Sequence, residues 1–214
     1  MDDAVGDNDG QSERGESTPP TVLIAASTGG SPAVQSILGA LPRTLGCRVL
    51  VVQHLPKTFT GRFAERLDTR SGLSVREASA IGTVGPNEAV VARGGNHLEV
   101  TADDGERLEF VLTDDEPIHS VRPAADVTFH SAATTETAPL VGVVLSGMGA
   151  DGAVGAEWVA AADGTVIVQD PETASFPVMP ENTIETGVVD EILPPEEIPD
   201  AIIEAAEPSR LSLE

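Results

Sequence analysis

The sequence predicts an α/β fold, a doubly wound and mostly parallel sheet flanked by helices, on three observations: short apolar runs recur, helix-forming stretches lie between or after them, and Gly or Pro punctuates the joins. Continuous apolar runs of this length suit strands buried on both faces of a parallel sheet. Their alternation with helices argues for βαβ units wound to both sides of that sheet.

The elements follow in chain order. Residues 1–20 hold Asp, Glu, Gly, Ser and Pro with almost nothing to bury, so a disordered acidic linker or tail is expected there. One domain is expected over 21–206, with a short C-terminal tail over 207–214. Buried strands are predicted at Thr21–Ala26, Arg48–Gln53, 140–145 and Thr165–Gln169. Helices are predicted over 32–40 (Pro just inside the start), 58–70, 124–135, 153–162 and 195–206. The stretch 74–112 breaks the rhythm with short alternating strands and turns at Gly85-Pro86-Asn87 and Asp103-Asp104-Gly105. It reads as a β-hairpin insertion attached to the main sheet.

Charge narrows the function. Thirty-five acidic residues face twelve basic ones, a net charge of −23, and Lys57 is the single lysine. Such a surface repels nucleic acid and anionic membrane. No run of about 18 apolar residues is present, so no membrane insertion is expected. The N-terminal residues are acidic where a secretory signal is basic and apolar, and Cys47 has no second cysteine to pair with. A cytoplasmic protein is expected. Acid excess with almost no lysine fits life in molar salt, where a Debye length of about 3 Å screens self-repulsion.

Ligands of open parallel sheets bind beyond the carboxyl ends of the strands. Ser27 leaves the first strand and meets Thr28, two glycines and a helix start. Free N–H groups there favour developing negative charge, although the same layout also cradles phosphate. His54 leaves the second strand, where an imidazole could accept the Ser27 proton; His97, His119 and His130 have no such placement. Gly147, Gly149 and Gly152 follow the third strand, with Asp170 ending the next. Read literally, that is a dinucleotide fingerprint of a Rossmann-type module, the alternative function. Asp151 counts against it, because a carboxylate in that turn would repel a pyrophosphate. In a hydrolase loop the glycines let backbone N–H groups reach an oxyanion, while Asp151 accepts from the imidazole. The histidines lack metal-ligand spacing, so neither a metal nor a cofactor is expected.

Taken together, these residues resemble one family, the CheB protein-glutamate methylesterases of chemotaxis, in their catalytic domain. The resemblance rests on Ala26-Ser27-Thr28-Gly29-Gly30, Gln53-His54-Leu55-Pro56, Arg122-Pro123 with Asp126, Gly147-Met148-Gly149-Ala150-Asp151-Gly152, and Met179-Pro180. It implies a catalytic Ser27, His54 and Asp151, an oxyanion donor at the Met148 N–H, and Thr28 lining the site. It implies methyl esters of glutamate side chains on the cytoplasmic helices of chemoreceptors as substrate, methanol as product, and glutamine deamidation in some relatives. Members usually carry a receiver domain, which residues 1–20 do not supply; they resemble only the linker after it. Arg93 and Glu181 depart from the family's usual proline and base.

One inference does not come from the resemblance. Arg62, Arg66 and Arg70 recur every fourth residue and are expected along one face of the helix after His54. They could dock an acidic receptor helix; alternatively they are a solvated face partnered by Glu65 and Asp68.

Overall fold

The computed structural model describes residues 18–135 and 139–206. Most of the expected N-terminal tail and all of 207–214 lie outside the described residues, whereas Pro20 is buried and its carbonyl accepts the Arg48 N–H at 2.8 Å.

Among the described residues, seven strands form one parallel sheet: β1 (Thr21–Ala26), β2 (Arg48–Gln53), β3 (Ser74–Glu77), β5 (Glu88–Val91), β8 (Leu140–Val144), β9 (Thr165–Gln169) and β10 (Glu191–Leu193). Their order is β10-β9-β8-β1-β2-β5-β3, every pair parallel. The chain therefore starts in the middle, winds one way through β2, and then returns to build the other side through β8. The switch point falls between β1 and β8. A second, antiparallel sheet joins β4 (Ile81–Val84), β7 (Leu108–Thr113) and β6 (His97–Asp103).

The expected α/β fold is present, and the 74–112 insertion divides between the two sheets. β5 is buried along Ala89, Val90 and Val91 and fills a place beside β2, while β6 and β7 close a hairpin at Asp104-Gly105. Local pattern identifies these strands but not their partners, because a four-residue strand pairs in either sheet equally well.

Among the described residues, six helices cover the sheet: α1 (Ser31–Ala40), α2 (Lys57–Asp68), α3 (Ala125–Thr134), α4 (Ala153–Ala161), α5 (Val178–Glu185) and α6 (Ile198–Ala206). Successive residues of β1 face opposite sides of the sheet. Val22, Ile24 and Ala26 pack with Val34, Ile37 and Ile202, whereas Leu23 and Ala25 pack with Phe110 and Phe129. That two-sided burial is why the strand is apolar at every position. None of the described helices is long and apolar enough to cross a membrane.

Candidate active site

Three loops meet at the carboxyl end of the switch point. β1 and β2 pair in register up to Ala26 and Gln53, and the His54 N–H donates to the Ala26 carbonyl at 2.9 Å. Ser27 and His54 are thus the next residues of adjacent strands. From β8, the Ser27 N–H donates to the Ser146 carbonyl at 3.0 Å, which draws the following glycine loop onto the serine. The approach is close: a Cβ on Gly147 would lie 2.7 Å from Ser27 Cβ and 2.0 Å from Met179 Sδ. Only glycine fits.

His54 Nε2 lies 2.7 Å from Asp151 Oδ2, with the imidazole 11% and the carboxylate 2% exposed. A proton on Nε2, donated to the carboxylate, would leave Nδ1 with the free lone pair. The imidazole is reversed relative to the usual serine-protease triad. The Ser27 hydroxyl forms no hydrogen bond with another described residue; such contacts often tighten only on substrate binding. The Met148 N–H likewise has no protein acceptor among the described residues, and Met148 is 59% exposed. Thr28 is exposed beside Ser27.

Asp151 is itself held. Its Oδ2 also accepts the Ala125 N–H at 2.6 Å, and its Oδ1 accepts the Asp126 N–H at 3.0 Å. Both donors belong to the first turn of α3, whose end would otherwise leave them unpaired. The Asp126 side chain reciprocates at the start of α4, where its Oδ1 accepts from Gly152 N at 2.9 Å and Gly155 N at 2.7 Å. The start of α3 is capped by Asp151 from the loop before α4, and the start of α4 by Asp126 from the first turn of α3, which locks both carboxylates in place.

Sequence reasoning missed the supports around the serine. Gln53 Nε2 donates to the Ser27 carbonyl at 2.8 Å, and Gln169 Oε1 accepts the Ser146 N–H at 2.9 Å. The Ser146 hydroxyl donates to the Thr28 carbonyl and accepts from Phe176 N–H, both at 3.0 Å. A polar residue closing each apolar run, Gln53 after VLVV and Gln169 after VIV, was the available signal.

Two recesses meet Leu55, the residue after His54. One of about 240 Å³ is lined by His54, Leu55, Pro56, Val121, Arg122 and Pro123. Another of about 260 Å³ is lined by Ser31, Leu55, Phe59, Arg62, Phe63 and Arg66. Arg62 and Arg66 lie on α2, with Arg66 stacked 5.3 Å over the Phe63 ring. Arg70 does not continue the stripe, because α2 ends at Asp68, whose carboxylate accepts the Val75 N–H at 2.8 Å. Asp68 is thereby committed to β3, and among the described residues neither Arg62 nor Arg66 has a carboxylate partner.

The dinucleotide alternative fails on the same geometry. The anion position at the α4 N-terminus is filled by the Asp126 carboxylate, and the space over Gly147 by Met179 and Ser27. Asp170 caps its own turn by accepting the Glu172 N–H at 2.9 Å. His119, Asp126 and Asp151 present ligand-type atoms within 4.8 Å of one another. Every carboxylate oxygen in that group already accepts an N–H, which suits a hydrogen-bond network rather than a metal ion.

Comparison with known proteins agrees with this arrangement. A family model described as CheB methylesterase matches residues 22–202. The chain is 50% identical over 185 residues to the protein-glutamate methylesterase/protein-glutamine glutaminase of Natronomonas pharaonis, covering 86% of this chain and 52% of that protein. It is 48% identical over 186 residues to the protein of the same name in Halobacterium salinarum, covering 87% and 54%. The chain spans about half the length of the curated relatives it matches. The crystal structure of the Thermotoga maritima CheB methylesterase catalytic domain matches with a TM-score of 0.81 at 40% identity, covering 86% of this chain and 97% of that one.

Proposed function

Because the chain belongs to the CheB methylesterase family, we propose that it removes methyl esters from glutamate side chains of chemoreceptors, releasing methanol, and deamidates receptor glutamines by the same route. The observation that carries the proposal is the His54–Asp151 pair, 2.7 Å apart, set one strand over from Ser27 at the sheet's switch point. Ser27 Oγ attacks the ester carbonyl while His54 Nδ1 takes its proton, and Asp151 stabilises the imidazolium at Nε2. The Met148 N–H, with Thr28 beside it, faces the oxyanion. His54 then returns the proton to the departing methanol or, from an amide, ammonia. Water repeats the sequence on the acyl-enzyme and frees the glutamate carboxylate.

The same reading takes in the partners. The methylated helices of receptors face the cytoplasm, so this domain acts there, in concert with a receiver domain. Arg62 and Arg66, which have no carboxylate partner among the described residues and line the recess at Phe59, support docking of an acidic receptor helix. The −23 charge supports operation in molar salt, as does similarity to proteins of Natronomonas and Halobacterium. The deciding experiment is methanol release from a methylated receptor fragment in high salt, wild type against Ser27→Ala. Release by the wild type and none by folded Ser27→Ala is expected; substantial release by the folded variant would refute the mechanism.

A further inference from the structure

His119 lies in the connection between β7 and α3, in a turn closed by the Ile118–Val121 bridge. It has φ 51° and Ser120 has φ 62°, a left-handed conformation that non-glycine residues adopt infrequently. Such conformations persist where the surroundings over-determine them, and they cluster at functional sites. The turn aims the imidazole inward, placing His119 Nε2 2.8 Å from Asp126 Oδ2. The ring is 36% exposed and the carboxylate 10%.

Asp126 is thus engaged on every side. One oxygen holds the N–H groups of Gly152 and Gly155, the other holds His119, and its own N–H donates to Asp151 Oδ1. Gly152 directly follows Asp151, so the Asp126 carboxylate fixes the backbone from which Asp151 reaches His54. Burial holds the Asp126 carboxyl above the ordinary carboxylate range; the Gly155 N–H opposes this, the neighbouring Asp151 charge adds to it, and the His119 hydrogen bond opposes it. A protonated Asp126 would be a weaker acceptor for the two N–H groups that set the loop.

We propose that His119 and Asp126 are a positioning pair for the reaction: by keeping the Asp126 carboxylate turned onto Gly152 and Gly155, His119 keeps Asp151 at hydrogen-bonding distance from His54. The inference rests on the reading of Asp151 as the group that orients His54. Neither residue touches substrate.

The test uses His119→Ala, and His119→Gln, whose Nε2 takes nearly the same place as the imidazole Nε2. kcat and KM are measured with a small glutamate γ-methyl ester, and the His54 imidazole N–H is followed by NMR. Loss of an outer-shell hydrogen-bond partner typically costs 10–100-fold at metal sites. On that scale His119→Ala should lower kcat about tenfold with KM unchanged, and shift or broaden the His54 signal. His119→Gln should restore both. A wild-type kcat and an unmoved His54 signal in His119→Ala would overturn the proposal. So would a loss that His119→Gln fails to restore while both variants keep the wild-type melting temperature. If His119→Ala does not fold, His119→Gln carries the test, and loss of kcat in that variant, folded, overturns it. An active Asp151→Asn would instead remove the premise, and that variant distinguishes the two failures.

Discussion

Arg48 opens β2 with its side chain fully buried, its Nε 3.1 Å from Thr21 Oγ1 and its two terminal nitrogens on the Asp103 carboxylate at 2.8 and 3.0 Å. The pair fastens the tip of β6 to the main sheet, and its burial shields it from salt that would dissolve a surface pair. Arg48→Ala leaves Asp103 without its countercharge and is expected to cost about 3–5 kcal/mol in denaturant unfolding, even in molar salt. The site residues fail in a different way. His54→Ala should match Ser27→Ala, since the two act as a unit, and the double variant should be no worse than either alone. Asp151→Asn should cost up to about 10⁴-fold in kcat. It should also lower stability by about 1 kcal/mol, because it turns an amide toward the α3 N–H groups that the carboxylate capped. Activity assays with thermal melts separate these effects. Among the candidate site residues, Ser27 and His54 are legible as the residues next after apolar runs and Asp151 as part of the glycine loop after another, whereas the contacts of Asp126 and His119 follow from no spacing.

At the level of elements, β1, β2 and β9 fall where the apolar runs put them, since burial on both faces leaves an unmistakable pattern. β10 and α5 leave weaker marks. β10 has three residues, and α5 carries Pro180 in its first turn and buries only Met179, Pro180 and Thr183. Helix ends were misjudged where side chains, not periodicity, set them, and Asp68 stops α2 before Arg70. The helix therefore carries Arg62 and Arg66 but not Arg70, and the proposed docking face rests on the first two. Reversing charge at Arg62 and Arg66 should raise KM for a receptor fragment about fivefold, each exposed pair contributing about 0.2–1 kcal/mol. Action on a small ester should not change. Equal loss on both substrates would argue against docking there, and adding Arg70→Glu to the pair should change little further.

For the whole molecule, the −23 charge is the feature on which a change of salt acts. Self-repulsion among carboxylates reaches about 3 Å through 1 M salt but about 30 Å through 0.01 M. Transfer to dilute buffer is expected to lower the melting temperature and broaden the transition, as followed by circular dichroism; an unchanged cooperative transition would defeat the high-salt reading. The two-way winding of the sheet has a further consequence. β1 is hydrogen-bonded to β2 on one side and β8 on the other, with Ser27 and His54 before the seam in sequence and Asp151 after it. A cut at residues 136–138 would give one fragment with nucleophile and base and another with the orienting carboxylate and the glycine loop. Neither could catalyse alone, so hydrolysis would become a signal that two separately made polypeptides had met.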